Sequence, residues 1–411
     1  PITGEDHMKR TALFGSLAVL LAASPALADV SQETIKALSA PDAIETSSGR
    51  LEFRDGVPTV ATAEKIRDIQ DFTRALDVYN NSYRGASALA IVKGFQGIGA
   101  NPGDVVIFSE LMDSNSLFLT ANADTIYYMT GLDLSKGPVV VEQPSGGIGT
   151  INDMWFSWII DIGGKYLILG PGYNGPLPEG GYFIAHSKTN FALYAARANL
   201  VDNDPKPAVE NIKRTMKVYP YQPGSYGTSI AAALDGTVRI AGEPKIPETK
   251  FIEGTGRSFN TIPPSDAGFY DLINENVQSQ PATSYDVELA GQLAAIGIVH
   301  GKPFEPDARM KKILADAAAV GQATGRSLNW RYAVQHPDWA YYPGSQWGSM
   351  LWEGGAFFET PPPLFEEGMF KPLPPTGART LDSRTAFYYA YTLDSPGMIM
   401  RIPGVGLQYL M

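Results

Sequence analysis

Apolar residues recur three and four positions apart from Ala63 to Lys93, in the stretch AEKIRDIQDFTRALDVYNNSYRGASALAIVK. This spacing places the apolar side chains on one side of an α-helix. Several glycines and an Asn-Pro-Gly turn follow, between Gly94 and Gly103, and they favour the end of the helix there. The pattern therefore predicts one long helix near the start of the chain.

Beyond this helix the pattern changes to short β-branched and aromatic segments separated by glycine and proline. The predicted strands are 105–108, 116–120, 125–134, 138–144 and 181–187. The stretch Thr150–Ile162 predicts a further strand, and Gly163-Gly164 then predicts a tight hairpin turn into Lys165–Gly170. Short strands joined in this way indicate an antiparallel β-sandwich or a partly closed barrel.

Helical patterns return later in the chain, at 190–199, 207–216, 285–299, 307–323 and 384–391. The fold class is therefore predicted as α+β, with a β-rich module that has a leading helix, followed by a mostly helical region with long loops. We divide the chain into a leader at 1–28, the β-rich module at 29–220, a connection rich in glycine and proline at 221–283, and the helical region at 284–411.

The leader has the features of a secretory signal. Met8 is followed by Lys9 and Arg10, a short apolar run and an Ala-x-Ala end at Ala28, and the preceding PITGEDH resembles a vector-derived scar. The apolar run is too short to span a bilayer comfortably, and no later segment reaches that length. These features predict a periplasmic or secreted protein without a membrane span.

Charge and composition exclude several classes of function. The formal net charge is −11, which disfavours nucleic acid and anionic lipid as partners. The chain contains no cysteine, so thiol catalysis and thiolate zinc sites are excluded. After the leader there are only three histidines, which are far apart in the sequence. We therefore expect no metal site and no cofactor; an oxygen-ligand calcium site stays open, although no residue pattern supports one. The sequence does not determine the oligomeric state.

A polar cluster precedes the strand predicted at 125–134. Asn122, Asp124, Thr125 and Tyr127 lie within six residues. The cluster has two interpretations: side chains that cap the backbone at a strand entry, or a carboxylate, an amide and a phenol held at the end of a sheet to bind hydroxyl groups or transfer protons. In the second interpretation Asn122 and Asp124 orient or activate water, Tyr127 hydrogen-bonds the substrate, and Thr125 contacts it.

The stretches NADTIYYMTGLDLSKGPVVVEQP and KYLILGPGYNGPLPEGGYFIAHSKTN resemble an exported bacterial family known as domain of unknown function 1254. The residues that carry the resemblance are Asn122, Asp124, Thr125, Tyr127, Asp133, Leu134, Gly137, Pro138, Tyr166, Leu167, Gly170 and Pro171. The resemblance covers about 68–307. It implies a β-sandwich-like module followed by helices, but it carries no catalytic residues. Family members usually continue into domain of unknown function 1214, which we expect to be missing or truncated here.

A second candidate site is the aromatic window from Asn329 to Phe358. It contains four of the six tryptophans, and its candidate substrate-binding residues are Trp330, His336, Trp339, Trp347 and Trp352. Aromatic faces on loops can stack on sugar rings or enclose an apolar ligand. The alternative is that these rings fill a seam between domains.

The stretch DMWFSWIID places Asp153, Trp155 and Asp161 on one face if it is a single strand. The two carboxylates would then lie about 27 Å apart, too far for a glycosidase pair, which needs roughly 5 to 10 Å. Trp155 is a candidate substrate contact. The alternative is that these are turn residues beside a buried strand.

These observations predict an exported hydrolase that acts on a small or oligomeric substrate in an aromatic-lined pocket. Two alternatives stay open: a non-catalytic protein that binds a saccharide or an apolar ligand in the cell envelope, and a structural or interaction module.

Overall fold

The structure is a computed structural model and describes residues 30–39, 41–112, 116–118, 125–178, 181–223, 246–335, 364–366, 369–371, 389–393 and 399–403. The chain divides into two compact units, residues 1–67 and residues 68–411. In the first unit, helix α1 (Gln32–Leu38) is capped by Ser31, whose hydroxyl accepts the N–H of Thr34. Strands β1 (Ala43–Ile44), β2 (Leu51–Arg54) and β3 (Val57–Pro58) form a small antiparallel sheet.

Helix α2 (Val60–Gly97) is the long helix that the apolar spacing predicts. It ends where the glycines indicate. The N–H of Ala100 donates to the carbonyl of Phe95, and the N–H of Gly99 donates to that of Gln96. Gly99 adopts φ +92°, a left-handed conformation that glycine adopts without steric cost, so the end of the helix is a Schellman motif.

The second unit is built around a six-stranded sheet in the order β14-β4-β6-β12-β8-β9. Its strands are β4 (Val105–Ile107), β6 (Thr125–Asp133), β8 (Gly147–Asp153), β9 (Trp158–Ile162), β12 (Phe191–Asn199) and β14 (Phe251–Glu253). All pairings are antiparallel except that of β14 with β4. The sheet buries side chains on both of its faces.

A four-stranded sheet covers one face of the larger sheet. Its order is β11-β10-β7-β13, and its strands are β7 (Val139–Glu142), β10 (Lys165–Leu169), β11 (Phe183–His186) and β13 (Lys217–Pro220). Helix α3 (Lys206–Thr215) completes this layer with Ile212, which is fully buried. Ile126, Tyr128 and Tyr194 of the large sheet share one apolar core with Val141 and Ile168 of the small one. The two sheets therefore form a sandwich.

Helices cover the opposite face of the six-stranded sheet. Helix α2 packs there with α4 (Gly268–Ser279), α5 (Val287–Ala295) and α6 (Ala308–Gln335). Met129 and Leu193 contribute the strand side of this second core. The described residues also form three two-stranded pairs. One is parallel, β5 (Ser116–Leu117) with β15 (Phe259–Asn260). The other two are antiparallel, β16 (Leu364–Glu366) with β17 (Met369–Lys371) and β18 (Tyr389–Leu393) with β19 (Ile399–Pro403).

The predicted α+β class is confirmed. The β-rich module with a leading helix is present, and its principal sheets are mostly antiparallel. The described sheets are open rather than closed into a barrel, so the sandwich alternative describes them.

The helix predicted at 190–199 is wrong, because these residues form β12 at the centre of the six-stranded sheet. Alanine favours a helix in isolation, and four of the nine residues in β12 are alanine. Placement between β6 and β8 gives the backbone hydrogen bonds on both sides. Ala192, Tyr194 and Ala196 are buried in the sandwich core, so tertiary burial overrides the local preference.

The predicted Gly163-Gly164 hairpin is also wrong. Strands β9 and β10, on either side of these glycines, belong to different sheets, so the glycines link the two layers. The hairpin instead joins β8 to β9 through Met154–Ser157. As a result, DMWFSWIID is not one strand. Asp161 pairs with Thr150, three residues before Asp153, which corresponds to about 10 Å along the strand.

Three further helical expectations need correction. Helix α4 lies inside the predicted connection 221–283, and its Phe269, Tyr270 and Ile273 are fully buried. The helix predicted at 307–323 extends to Gln335, so the backbone of Trp330 is helical rather than part of a loop. Contacts with α2 stabilise α4 beyond what the local pattern indicates. The helix predicted at 384–391 is wrong where the structure describes it, because Tyr389–Leu393 form strand β18.

A buried polar network crosses the sandwich core. The hydroxyl of Tyr194 donates to Oε1 of Gln143, and Nε2 of Gln143 donates to the hydroxyl of Tyr128 at 2.8 Å. Burial raises the pKa of Tyr128 to about 12, although its bonds to Tyr194 and Gln143 act in the opposite direction. Burial also raises the pKa of Tyr194 well above its ordinary value. Both hydroxyls are therefore held neutral at physiological pH.

This network predicts a loss of stability at alkaline pH. A raised folded-state pKa means that the stabilisation is fully present below pH about 10 and is lost as the pH rises towards about 12. We expect the urea midpoint of the wild-type protein to fall across that window, and that of Tyr128→Phe to fall less. An equal fall in both proteins would show that Tyr128 does not contribute to the pH dependence.

Candidate functional site

One end of the six-stranded sheet carries the polar cluster that the sequence singles out. Strand β6 begins there at Thr125. In the register, Thr125 lies opposite Asn199 of β12 and Tyr127 lies opposite Arg197. On the other side of β12, Arg197 lies opposite Ile148 of β8. We call these five residues, Thr125, Tyr127, Ile148, Arg197 and Asn199, the sheet end.

The sheet end belongs to the face on which the helices pack. Leu193 and Ala195 of β12 pack in the helix-side core, while Ala196 and Ala198 lie in the sandwich core. Because side chains alternate along a strand, Arg197 projects on the helix side. Leu193 is buried, Ala195 is half-buried and Arg197 is exposed. The helical cover therefore ends just before Arg197.

Charged, neutral polar and apolar side chains lie together at the sheet end. Ile148 is 59% exposed, which is high for an isoleucine in a six-stranded sheet. Arg197 and Asn199 are also exposed, and Thr125 is half-buried. Within the described part of the chain, the side chain of Arg197 forms no hydrogen bond or ion pair. The surface thus offers a cation, an amide and a hydroxyl beside an apolar patch.

Tyr127 lies at the boundary of this surface. It is 9% exposed and belongs to the helix-side core. Its ring centroid lies 6.3 Å from that of Phe118, which in turn packs on Phe95. The ring therefore forms the inner wall of the sheet end. Asn122 and Asp124 lie outside the described residues, so their predicted roles stay predictions.

A hydrogen-bonded clamp holds the neighbouring strands β4 and β14 together at the same end. The hydroxyl of Ser109 donates to Oε2 of Glu253 at 2.5 Å, and the backbone N–H groups of Ser109 and Thr255 donate to Oε1. Nζ of Lys213 donates to the Ser109 hydroxyl at 3.4 Å. Burial of Glu253 acts to raise its pKa, but these hydrogen bonds outweigh it and the pKa is lowered. A carboxylate with a lowered pKa is a weak base, so the clamp has a structural role rather than that of a serine-activating pair.

Trp155 is placed away from this surface. It lies in the turn between β8 and β9 and is 4% exposed. Its indole N–H donates to the hydroxyl of Ser284 at 3.1 Å, and its ring packs on Tyr285 with centroids 5.1 Å apart. These contacts give Trp155 a packing role, and its predicted contact with a substrate stays a prediction.

Asp153 organises the same turn. Its Oδ1 accepts the backbone N–H groups of Trp155 and Ser157 at 2.8 and 2.9 Å. Between them, Phe156 adopts φ +56°, a left-handed conformation that such a turn needs. Burial raises the pKa of Asp153, although these hydrogen bonds and the charges of Arg84 and Lys188 oppose the rise. The contacts of Asp153 are therefore those of a turn residue.

The aromatic window is described only at its start. The backbone of Trp330 lies in α6, while His336, Trp339, Trp347 and Trp352 lie outside the described residues. Within the described ranges, no group of three or more acidic or histidine side chains could hold a metal ion. In the same ranges, no helix has the length and apolar character to cross a bilayer.

Sequence reasoning missed Ile148 and Arg197. The helix predicted at 190–199 concealed the two-residue period that places Arg197 on the same face as Leu193 and Ala195. The sequence does contain a pattern that marks Arg197: apolar residues on both faces of β12, followed by a single charged residue. This pattern indicates an exposed site only when the segment is already known to be a strand.

The segment from 102 to 220 matches a family model. Its description is "Protein of unknown function (DUF1254)". Residues 102–220 match DUF1254. The match confirms the resemblance seen in the sequence over the segment that includes β4 to β13. The sheet end is formed entirely by this DUF1254 segment, because Thr125, Tyr127, Ile148, Arg197 and Asn199 all fall within it.

One solved structure similar to this chain is the crystal structure of the VPA0106 protein from Vibrio parahaemolyticus. The TM-score is 0.42 and 16% of the residues are identical. The match covers 67% of this chain and 63% of that chain, which is less than two thirds of the length of that protein. No curated protein matches the chain.

Proposed function

We propose that the chain binds a small molecule at the sheet end and that the protein acts in the cell envelope after export. The observation that carries the proposal is the open sheet face, where Arg197, Asn199 and Thr125 lie beside Ile148 in the register of β6, β12 and β8. These groups recognise a ligand by hydrogen bonds and apolar contact, as small-molecule sites commonly do. The predicted export signal, at 8–28, lies outside the described residues.

A blocking variant tests where the ligand binds. Asn199→Trp places a bulky ring on the exposed sheet end and leaves the buried core of β12 unchanged. The matched control is Ile184→Trp, on a 37% exposed residue of the four-stranded sheet. We expect ligands found in a thermal-shift screen of sugars and organic acids to lose their effect in Asn199→Trp and to keep it in the control. Ligands that stabilise both variants equally would overturn the proposal.

Hydrolysis at the same site is the second candidate. Asp124 directly precedes Thr125, the first residue of β6, in the sequence. We propose that this carboxylate activates water, with Asn122 and Tyr127 as its partners and the aromatic window as the pocket wall. Binding without turnover remains the first candidate because it rests on described side chains.

Asp124→Asn distinguishes these two candidates. The change removes the carboxylate and keeps the size of the side chain, so a hydrolase should lose turnover by 100-fold or more, on the order of what a general base contributes, and retain ligand affinity. The measurement is release of p-nitrophenolate from a panel of p-nitrophenyl esters and glycosides. If the wild-type protein releases none, or Asp124→Asn is equally active, Asp124 is not a general base; a lowered melting temperature would instead favour a strand-capping role.

A further inference from the structure

The exposed basic residues of this acidic chain differ in whether they pair with acids. Lys93 pairs with Glu275 at 2.6 Å, Lys136 with Asp133 at 2.9 Å, and Lys250 with Asp104 at 3.0 Å. Arg197 has no such partner in the part of the chain that the structure describes, although the chain has 43 acidic residues against 32 basic ones.

Strand pairing identifies the described neighbours of Arg197. Directly across the strands lie Tyr127 and Ile148. The diagonal positions on the same face, which are also within reach of a long side chain, are Thr125, Met129 and Thr150. None of these positions is acidic. At these described positions, therefore, the guanidinium has only apolar and neutral polar neighbours.

We propose that Arg197 holds the carboxylate of the ligand, so that the sheet end binds a small organic acid whose apolar body lies on Ile148. This inference rests on the proposed binding function and adds the class of ligand. The planar guanidinium matches a carboxylate in a two-point hydrogen-bonded pair. Ile148, 59% exposed and directly across from Arg197, offers apolar surface for an alkyl chain. Asn199 and Thr125 supply further hydrogen-bonding groups on the other side of the cation.

The test uses octanoate as the probe and 1-octanol as its uncharged counterpart. Binding is followed through the Ile148 methyl signal in a protein labelled at isoleucine δ1 methyl groups, with Ile148→Val for assignment. We expect octanoate to shift this signal and to bind at least tenfold more tightly than 1-octanol. Octanoate binding should weaken as the salt concentration is raised, because the ion pair is partly exposed.

Two variants separate the charge from the fork geometry. Arg197→Gln should lower the affinity for octanoate by roughly tenfold to a hundredfold, the range for loss of a charged hydrogen bond. It should leave the affinity for 1-octanol unchanged. Arg197→Lys should restore part of the affinity, because it keeps the charge but not the two-point pairing. The matched control is Arg214→Gln, an exposed arginine of α3, which packs in the sandwich core on the opposite face; it should bind octanoate as the wild type does.

Each remaining outcome has a distinct meaning. If octanoate and 1-octanol bind equally and Asn199→Trp abolishes both, the site stands and the carboxylate inference is overturned. If octanoate binds in Asn199→Trp as in the wild type, the proposed site itself is wrong. If neither probe shifts the Ile148 signal and Asn199→Trp lowers the melting temperature, another segment of the chain covers the sheet end and both proposals fail.

Discussion

Trp155→Ala is expected to lower the free energy of unfolding by about 3–5 kcal/mol, the range for truncation of a large buried aromatic side chain. The ring is 4% exposed and packs on Tyr285, and its indole N–H donates to Ser284, which is also buried. Truncation removes the apolar contacts and leaves the Ser284 hydroxyl without this donor. The measurement is the urea midpoint followed by circular dichroism.

Two comparisons make this prediction specific. Trp155→Phe keeps most of the packing and loses the N–H, so its cost should be smaller, about 1–3 kcal/mol. Trp158→Ala removes an indole that is only half-buried, three residues along the chain, and should also cost less than Trp155→Ala. An unchanged midpoint in Trp155→Ala, together with weaker ligand binding, would support the substrate contact that the sequence predicts instead of the packing role.

Gly321→Ala should destabilise the protein, although alanine is the better helix former. Gly321 lies in α6, and a Cβ built there would be 2.2 Å from Cδ1 of Tyr79 on α2. The Tyr79 ring cannot move away easily, because it is 1% exposed and its centroid lies 4.2 Å from that of Phe269. Overpacking of a rigid core typically costs about 1–3 kcal/mol, which exceeds the gain of about 1 kcal/mol from helix propensity.

The matched control is Gly291→Ala in α5. A Cβ at Gly291 would meet nothing within 4 Å. We therefore expect this variant to be stabilised by up to about 1 kcal/mol, because only the propensity term remains. Thermal unfolding of both variants would measure the difference. Equal stabilisation of the two would mean that α2 and α6 do not approach as closely as the structure shows.

Predictability of the candidate site differs between its strands. Thr125 and Tyr127 were found from sequence because β-branched and aromatic residues follow a polar cluster, and the strand over 125–133 formed where this pattern predicts. Arg197 and Ile148 were not found, because their importance comes from pairing with β6 across a central strand. Cross-strand neighbours are distant in sequence, and no local pattern reports them.

For Trp155, the sequence could not distinguish a ligand contact from a buried core residue. A tryptophan in an apolar segment near two aspartates is consistent with a ligand wall or with a core anchor. Contacts with Ser284 and Tyr285, about 130 positions further along the chain, give the ring its packing role. Residue type alone could not distinguish these outcomes, because an indole is favourable in both environments.

The sequence by itself determined the elements whose periodicity is strong and uninterrupted. The spacing of apolar residues determines α2. The helix ends at Gly99 because glycine, which has no Cβ, adopts the left-handed conformation of the helix end without a steric clash. Local pattern also sets β4, β6, β7 and β11, as well as α3. The tertiary structure alone decided the state of 191–199, where alanine favours a helix and burial between β6 and β8 imposes a strand. It also decided that Gly163-Gly164 connects two sheets, and that the helical cover ends just before Arg197. Burial and pairing between distant segments outweigh local preferences of a few tenths of a kcal/mol per residue, so these features follow from packing.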